Sequence, residues 1–115
     1  MTISTGSNID NQAIVENLKK LTNQIYKLLP NWEEALDWQT PLGTIIEELS
    51  GMDKLLTQYH KELFPLLCKL EGLYIYTEEE DFSKYRRTIF ECLNILSSIK
   101  NEVETCQDLK IYKLD

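Results

Sequence analysis

Residues 40–73, "TPLGTIIEELSGMDKLLTQYHKELFPLLCKLEGL", decide the fold. Apolar or aromatic side chains recur at Leu42, Ile45, Leu49, Met52, Leu56, Tyr59, Leu63, Leu66, Leu70 and Leu73, at alternating spacings of 3 and 4. That spacing is the stripe of an amphipathic helix. Thr40 offers an N-cap hydroxyl, and Pro41 suits the first helical position, where its missing N–H costs nothing. Gly51 and Pro65 lie inside the run, yet the register slips at neither. The stretch therefore reads as one long helix over about 41–73, ~50 Å at 1.5 Å per residue. Gly51 weakens it locally, and Pro65 bends it by freeing the carbonyl of Lys61.

Downstream, "EGLYIYT" reads as a turn, and Phe82, Tyr85, Ile89, Cys92, Leu96, Ile99, Val103 and Cys106 form a second stripe of the same spacing. A helix over about 77–107 follows, and a connection of only a few residues makes it an antiparallel neighbour of the first. The terminal "DLKIYKLD" fits either a last helical turn or an extended segment. Upstream, Ile14, Leu18, Leu21, Ile25 and Leu28 predict a shorter N-terminal helix that stops at Pro30. "NWEEALDW", residues 31–38, predicts a short acidic helix bearing Trp32 and Trp38, with Asn31 as N-cap and Glu34 closing a capping box. Residues 1–8, small and polar, read as a flexible tail, and residues 9–115 as a single domain. The expected fold is all-α, an up-and-down helical bundle with coiled-coil-like seams.

Composition agrees. Four glycines and three prolines leave few turn signals for a β-protein, and 43% hydrophobic with 27% charged residues is ordinary globular usage. The net charge of −7 divides as −2 over residues 1–40, −2 over 41–76 and −3 over 77–115, so it looks evenly spread. With no basic stripe, binding to a nucleic-acid backbone is disfavoured. Three cysteines without a CxxC spacing make neither a disulfide framework nor a zinc site, and fit a reducing compartment. The N-terminal residues carry no signal-peptide pattern, and no apolar run approaches the ~20 residues that span a bilayer. A cytoplasmic protein without cofactor, metal or membrane is expected.

Chemistry is most suggested by "YTEEEDFSKYRR", residues 76–87. Thr77 as N-cap, Glu78 to Glu80 in the first turn and Glu80 at the capping-box position make this a capped helix start. Carboxylates there meet free N–H groups and the positive end of the helix dipole. Consecutive helical residues fan outward, so the four acids do not converge on a cation, and no calcium-loop pattern is present. The lone His60 has no ExxH companion and reads as a helix-surface residue. Cys92 and Cys106 sit on the stripe as small apolar fillers.

The carboxylates Glu33, Glu34 and Asp37, with Glu78 and Asp81, resemble the all-α nucleotide pyrophosphohydrolases, which hold Mg²⁺ with EExxE on one helix and ExxD on another. Asp37 stands where that pattern has Glu. The resemblance implies a Mg²⁺-dependent hydrolase as a subordinate alternative.

The leading expectation is a non-enzymatic protein–protein interaction module, an adaptor or a small subunit of a larger assembly. A second is an acidic inhibitor or immunity protein that masks a basic surface of a toxin or nuclease. Phe64, Leu67 and Cys68 lie off the first stripe, and Phe90 and Leu93 beside the second. In a hairpin turning near residue 75 they form a second apolar face, which the shorter N-terminal helix covers in part, and what remains suits a protein partner or a homodimer. The helix bearing Trp32 and Trp38 reads first as a cap folded over the open end of the bundle, with both indoles packed down. The sharper reading, from their pointing in different directions six residues apart on a helix, leaves one as an anchor for a partner.

Overall fold

The computed structural model describes residues 11–114, with side chains to residue 105. The described residues form four α-helices: α1 (Asn11–Glu33), α2 (Gln39–Leu55), α3 (His60–Gly72) and α4 (Phe82–Leu114). Single 3₁₀ turns at Thr57–Tyr59, Leu73–Ile75 and Glu79–Asp81 serve the second and third connections. No strand occurs among the described residues. The bundle is up-and-down, its short connections joining antiparallel neighbours, and the 33 residues of α4 set the long dimension of 55 Å against 22 and 21 Å across.

The long helix expected over 41–73 is two helices. At Leu56 the backbone leaves the helical region (φ −111°, ψ 66°), its N–H closing on the Met52 carbonyl at 2.7 Å. A 3₁₀ turn then reverses the chain, and α3 runs back along α2. The Tyr74 hydroxyl, just beyond α3, donates to the carbonyl of Gln39 at the start of α2 (3.4 Å). At the other end His60 Nδ1 lies 2.8 Å from Asp53 Oδ1. The reversal occupies Leu56 to Tyr59, about one helical turn, so the stripe keeps its phase across it. Both helices face the same core, and Leu49, Leu56, Tyr59 and Leu63 are all buried. Neither Gly51 nor Pro65 ends a helix.

The N-terminal helix differs too. α1 continues through Pro30 to Glu33, and residues 31–38 form no separate helix. Pro30 lacks the N–H that would bond the Tyr26 carbonyl. The added turn is held by Trp32, which packs on Phe82 and Tyr85 of α4 at centroid distances of 5.2 and 5.4 Å. α2 begins at Gln39, before Pro41, and Asp37 rather than Thr40 caps it, accepting the Thr40 N–H at 3.1 Å. Pro41 is tolerated in the first turn, whose N–H groups have no helical partner. α4 stays helical to Leu114, which resolves the open reading of the C-terminal segment. The tail expected over 1–8 and the side chain of Cys106 lie outside the described residues.

Each helix packs on two others around a ring: α1 on α2 and α4, α3 on α2 and α4. The core is a single cluster. Leu18, Ile25, Leu28, Leu42, Leu49, Leu63, Leu66, Leu70, Leu73, Tyr85, Ile89, Cys92 and Ile99 show no exposed surface. Each aliphatic residue so buried is worth about 1.5–3 kcal/mol against exposure to water. Surface ion pairs Lys20–Glu48 (3.4 Å) and Lys69–Glu91 (3.1 Å) bridge α1 to α2 and α3 to α4. Exposed pairs of this kind add little.

Candidate functional site

In an up-and-down bundle the first and third connections share an end. Here these are residues 34–38, between α1 and α2, and 73–81, between α3 and α4. At the first, α1 closes with paired hydrogen bonds from Leu36 N–H to the Asn31 carbonyl (2.8 Å) and from Ala35 N–H to the Trp32 carbonyl (3.2 Å). This is a Schellman motif, and its left-handed position, usually glycine, is held by Ala35 at φ 59°. Such motifs commonly pack the following apolar residue back on the helix. Leu36 instead stays 55% exposed.

Trp32 Nε1 donates to the Tyr76 carbonyl at 2.7 Å and ties the third connection to the end of α1. Trp38 stacks on Tyr74 and meets Tyr85 edge-on, with centroids 6.2 and 5.2 Å apart. Between Tyr74 and Tyr76, Ile75 is 72% exposed. Both indoles thus pack down on Tyr85 at the bundle end, as the first reading expected, and do not diverge as the sharper one did. The six-residue helical angle does not apply, because the chain reverses at Ala35. Trp38 is buried and Trp32 half-buried, so neither is a freely exposed anchor. Tyr85 is fully buried, its hydroxyl finds no hydrogen-bond partner among the described residues, and burial pushes its pKa above the ordinary phenol range.

A cleft of about 540 Å³ opens between the two connections, lined by Trp32, Glu33, Ala35, Leu36, Asp37, Trp38, Gln39, Thr77 and Glu79. Its surroundings are strongly acidic. Residues 33–39 and 71–81 carry Glu33, Glu34, Asp37, Glu71, Glu78, Glu79, Glu80 and Asp81, and no Lys or Arg. Those eight acids leave eleven others against twelve basic residues, a balance of +1 for the rest of the chain. The charge that looks even along the sequence is gathered by the fold at one end. None of the eight takes part in an ion pair among the described residues. The bond from the Thr40 N–H, the largest cause, holds the Asp37 carboxyl below its usual range.

The acidic run does open a helix, one residue later than expected. Glu78 is the extended capping residue, and its N–H donates to Asp81 Oδ2 at 3.3 Å, closing the 3₁₀ turn that leads into α4. The hydrolase-like carboxylates share this end without sharing a helix face. Glu33 ends α1, Glu34 lies in the turn and Asp37 follows the reversal. Among the described residues no three His, Cys, Asp or Glu side chains are placed to hold a metal ion.

The second apolar face expected from the sequence is not assembled. Phe90 meets Tyr26 of α1 edge-on at 6.2 Å, with Arg86 over its ring at 5.0 Å. Leu93 is buried in the groove between α1 and α4. Phe64 is 54% exposed and packs on His60, which reaches Asp53 of α2. Leu67 is partly buried and Cys68 exposed. The α1–α4 and α2–α3 grooves lie on opposite sides of the ring, so Phe64 and Phe90 cannot share one face. α1 covers Phe90 and Leu93, as was weighed for the N-terminal helix, and the reversal at Leu56 sets Phe64 on the α2 side instead.

Sequence reasoning missed Leu36, Ile75 and Ala35. A signal was present: no Lys or Arg occurs in residues 28–53 or 70–83, stretches that contain both connections of this end. No described helix is long and apolar enough to cross a membrane. Comparisons with family models, curated proteins and solved structures give no match.

Proposed function

We propose that the protein is a non-enzymatic protein–protein interaction module, an adaptor or small subunit of a larger assembly, whose contact surface is the end carrying the α1–α2 and α3–α4 connections. The observation that carries this reading is the exposure of Leu36, which lines the cleft, and of Ile75 in the α3–α4 connection at the same end. Covering what remains exposed of each is worth about 1–2 kcal/mol, enough for the pair to anchor an interface. The acidic surround also favours a narrower version, an inhibitor or immunity protein that masks a basic surface of a toxin or nuclease.

Affinity capture from the native host, parent against Leu36→Ser/Ile75→Ser, tests it. Both residues lie on the surface, so the variant stays folded by circular dichroism. A specific partner is recovered with the parent and its recovery falls by at least about tenfold with the variant, as the loss of one or more anchors dictates. Equal recovery with both proteins, or no specific partner with either, refutes the proposal.

A further inference from the structure

Resting on that reading, we propose that the occupant of this end is a basic segment of the partner protein. It inserts a Lys or Arg side chain into the cleft and lays neighbouring apolar residues on Leu36 and Ile75. Long basic side chains have an aliphatic stem and a charged head, and they bury the first while keeping the second near water or counter-charge. The cleft has this polarity. Trp32, Ala35, Leu36 and Trp38 form apolar wall, and Glu33, Asp37 and Glu79 supply carboxylates. At about 540 Å³ it falls within the size range of pockets that enclose small ligands, ample for one long side chain.

Charge selects the partner. Residues 33–39 and 71–81, the two connections with the helix ends that flank them, hold eight acids and no bases, whereas the remainder of the chain is close to neutral. A second copy of this chain would bring like charges together at this end, and a nucleic-acid backbone would bring its phosphates. A bare divalent ion finds no converging ligand set among the described residues. A small free cation would leave Leu36 and Ile75 uncovered, and a basic amphipathic protein segment covers them. Both cleft-lining indoles pack on the fully buried Tyr85, which fixes the apolar wall against which a basic side chain's stem would lie.

The test is an NMR titration of the full chain, following the indole N–H signals of Trp32 and Trp38. Probes are synthetic peptides alternating Leu with Arg, Leu with Lys and Leu with Glu, with free arginine as a fourth. The Arg or Lys peptide, or both, shifts the indole signals saturably, and the two arms decide between guanidinium and ammonium. Binding weakens by about tenfold or more from low to near-molar salt. Glu33→Gln/Glu79→Gln weakens it severalfold, whereas Glu47→Gln/Glu62→Gln on the bundle flanks leaves it unchanged. The Glu peptide leaves the signals unmoved, and free arginine binds far more weakly than the peptide.

Absence of a saturable shift, equal affinity in the Glu33/Glu79 and flank variants, or equal binding of the Glu peptide overturns the inference. If the native partner is lost with Leu36→Ser/Ile75→Ser while Glu33→Gln/Glu79→Gln retains it, the interaction module stands and the basic occupant falls. If the peptides bind as expected but partner recovery ignores Leu36 and Ile75, the cleft chemistry stands and the proposed function falls.

Discussion

Exchanging an alanine and a glycine should stabilise this bundle. Gly51 sits inside α2, where a Cβ added to it meets nothing within 4 Å. Glycine in a helix interior costs about 0.5–1 kcal/mol relative to alanine, so Gly51→Ala should gain that much. Ala35 is the reverse case, held at φ 59° in the left-handed position of the α1 terminus. An L-residue pays roughly 1–2 kcal/mol for that conformation. Ala35→Gly removes the strain but gives back about 0.4–1 kcal/mol of unfolded-chain entropy, for a net gain of about 0.5–1 kcal/mol. Gly51 lies toward the Leu56 end of α2 and Ala35 at the opposite end of the bundle, so the effects should add. The double variant is then about 1–2 kcal/mol more stable, a rise in urea midpoint of about 1 M at an m-value near 1.5 kcal/mol/M. Urea denaturation monitored by circular dichroism reads this directly, with m unchanged. Destabilisation by Gly51→Ala would refute a continuous α2 through residue 51. Destabilisation by Ala35→Gly would refute the left-handed terminus of α1, and with it the geometry of the cleft.

Burial pushes the Cys92 thiol up to about 12, so at pH 8 iodoacetamide should label exposed Cys68 quickly and Cys92 only through unfolding, read by mass spectrometry in a Cys106→Ser background. Comparable rates at both would contradict the core placement. The depressed pKa of Asp37 contributes stability above its unfolded value near 3.8, and that contribution is lost as pH falls through the lower folded value. In Asp37→Asn, which keeps a capping oxygen, this acid-dependent component should vanish from melting curves between pH 5 and 2. An unchanged pH profile would exclude the carboxylate as its source. Trp32→Phe deletes the bond to the Tyr76 carbonyl and should cost about 1–3 kcal/mol, whereas Phe64→Asp at an exposed site should stay within about 0.5 kcal/mol. The reverse order in denaturant melts would place Phe64 in the core and Trp32 outside it.

The helical character and nearly every core position were legible because a 3,4 spacing has one physical meaning, a face turned to a common interior. Leu63, Leu66, Leu70, Tyr85, Ile89 and Cys92 are buried as their stripes require. The same spacing is silent about direction. A reversal that takes about one helical turn, as at Leu56 to Tyr59, returns the stripe to the core in phase. Gly51 and Pro65, the apparent breakers, were distractions. Glycine lowers helix stability without ending a helix, and proline removes one hydrogen bond that packing can outweigh. Pro30 failed as a stop signal for the same reason, with Trp32 holding the turn beyond it.

Site residues were legible to a lesser degree, since their meaning depends on topology. Summed over thirds of the chain, the charge is uniform, because each third contains helix flanks with balancing bases. The fold regroups the same residues by connection. Counting α2 and α3 as one helix gives three helices in all, placing residues 34–38 and 73–81 at opposite ends of the bundle and dividing the acids between them. Counting them as a hairpin brings those connections together and joins the acids into one surface. The reversal at Leu56 thus has two consequences for function. It separates Phe64 from Phe90 and Leu93, which were expected to share one face, and it creates the acidic end where Leu36 and Ile75 stand exposed. Lengthening the 56–59 turn should preserve that end, because the pairing of α2 with α3 is held by buried contacts along their length. Fusing α2 and α3 into one straight helix should abolish it.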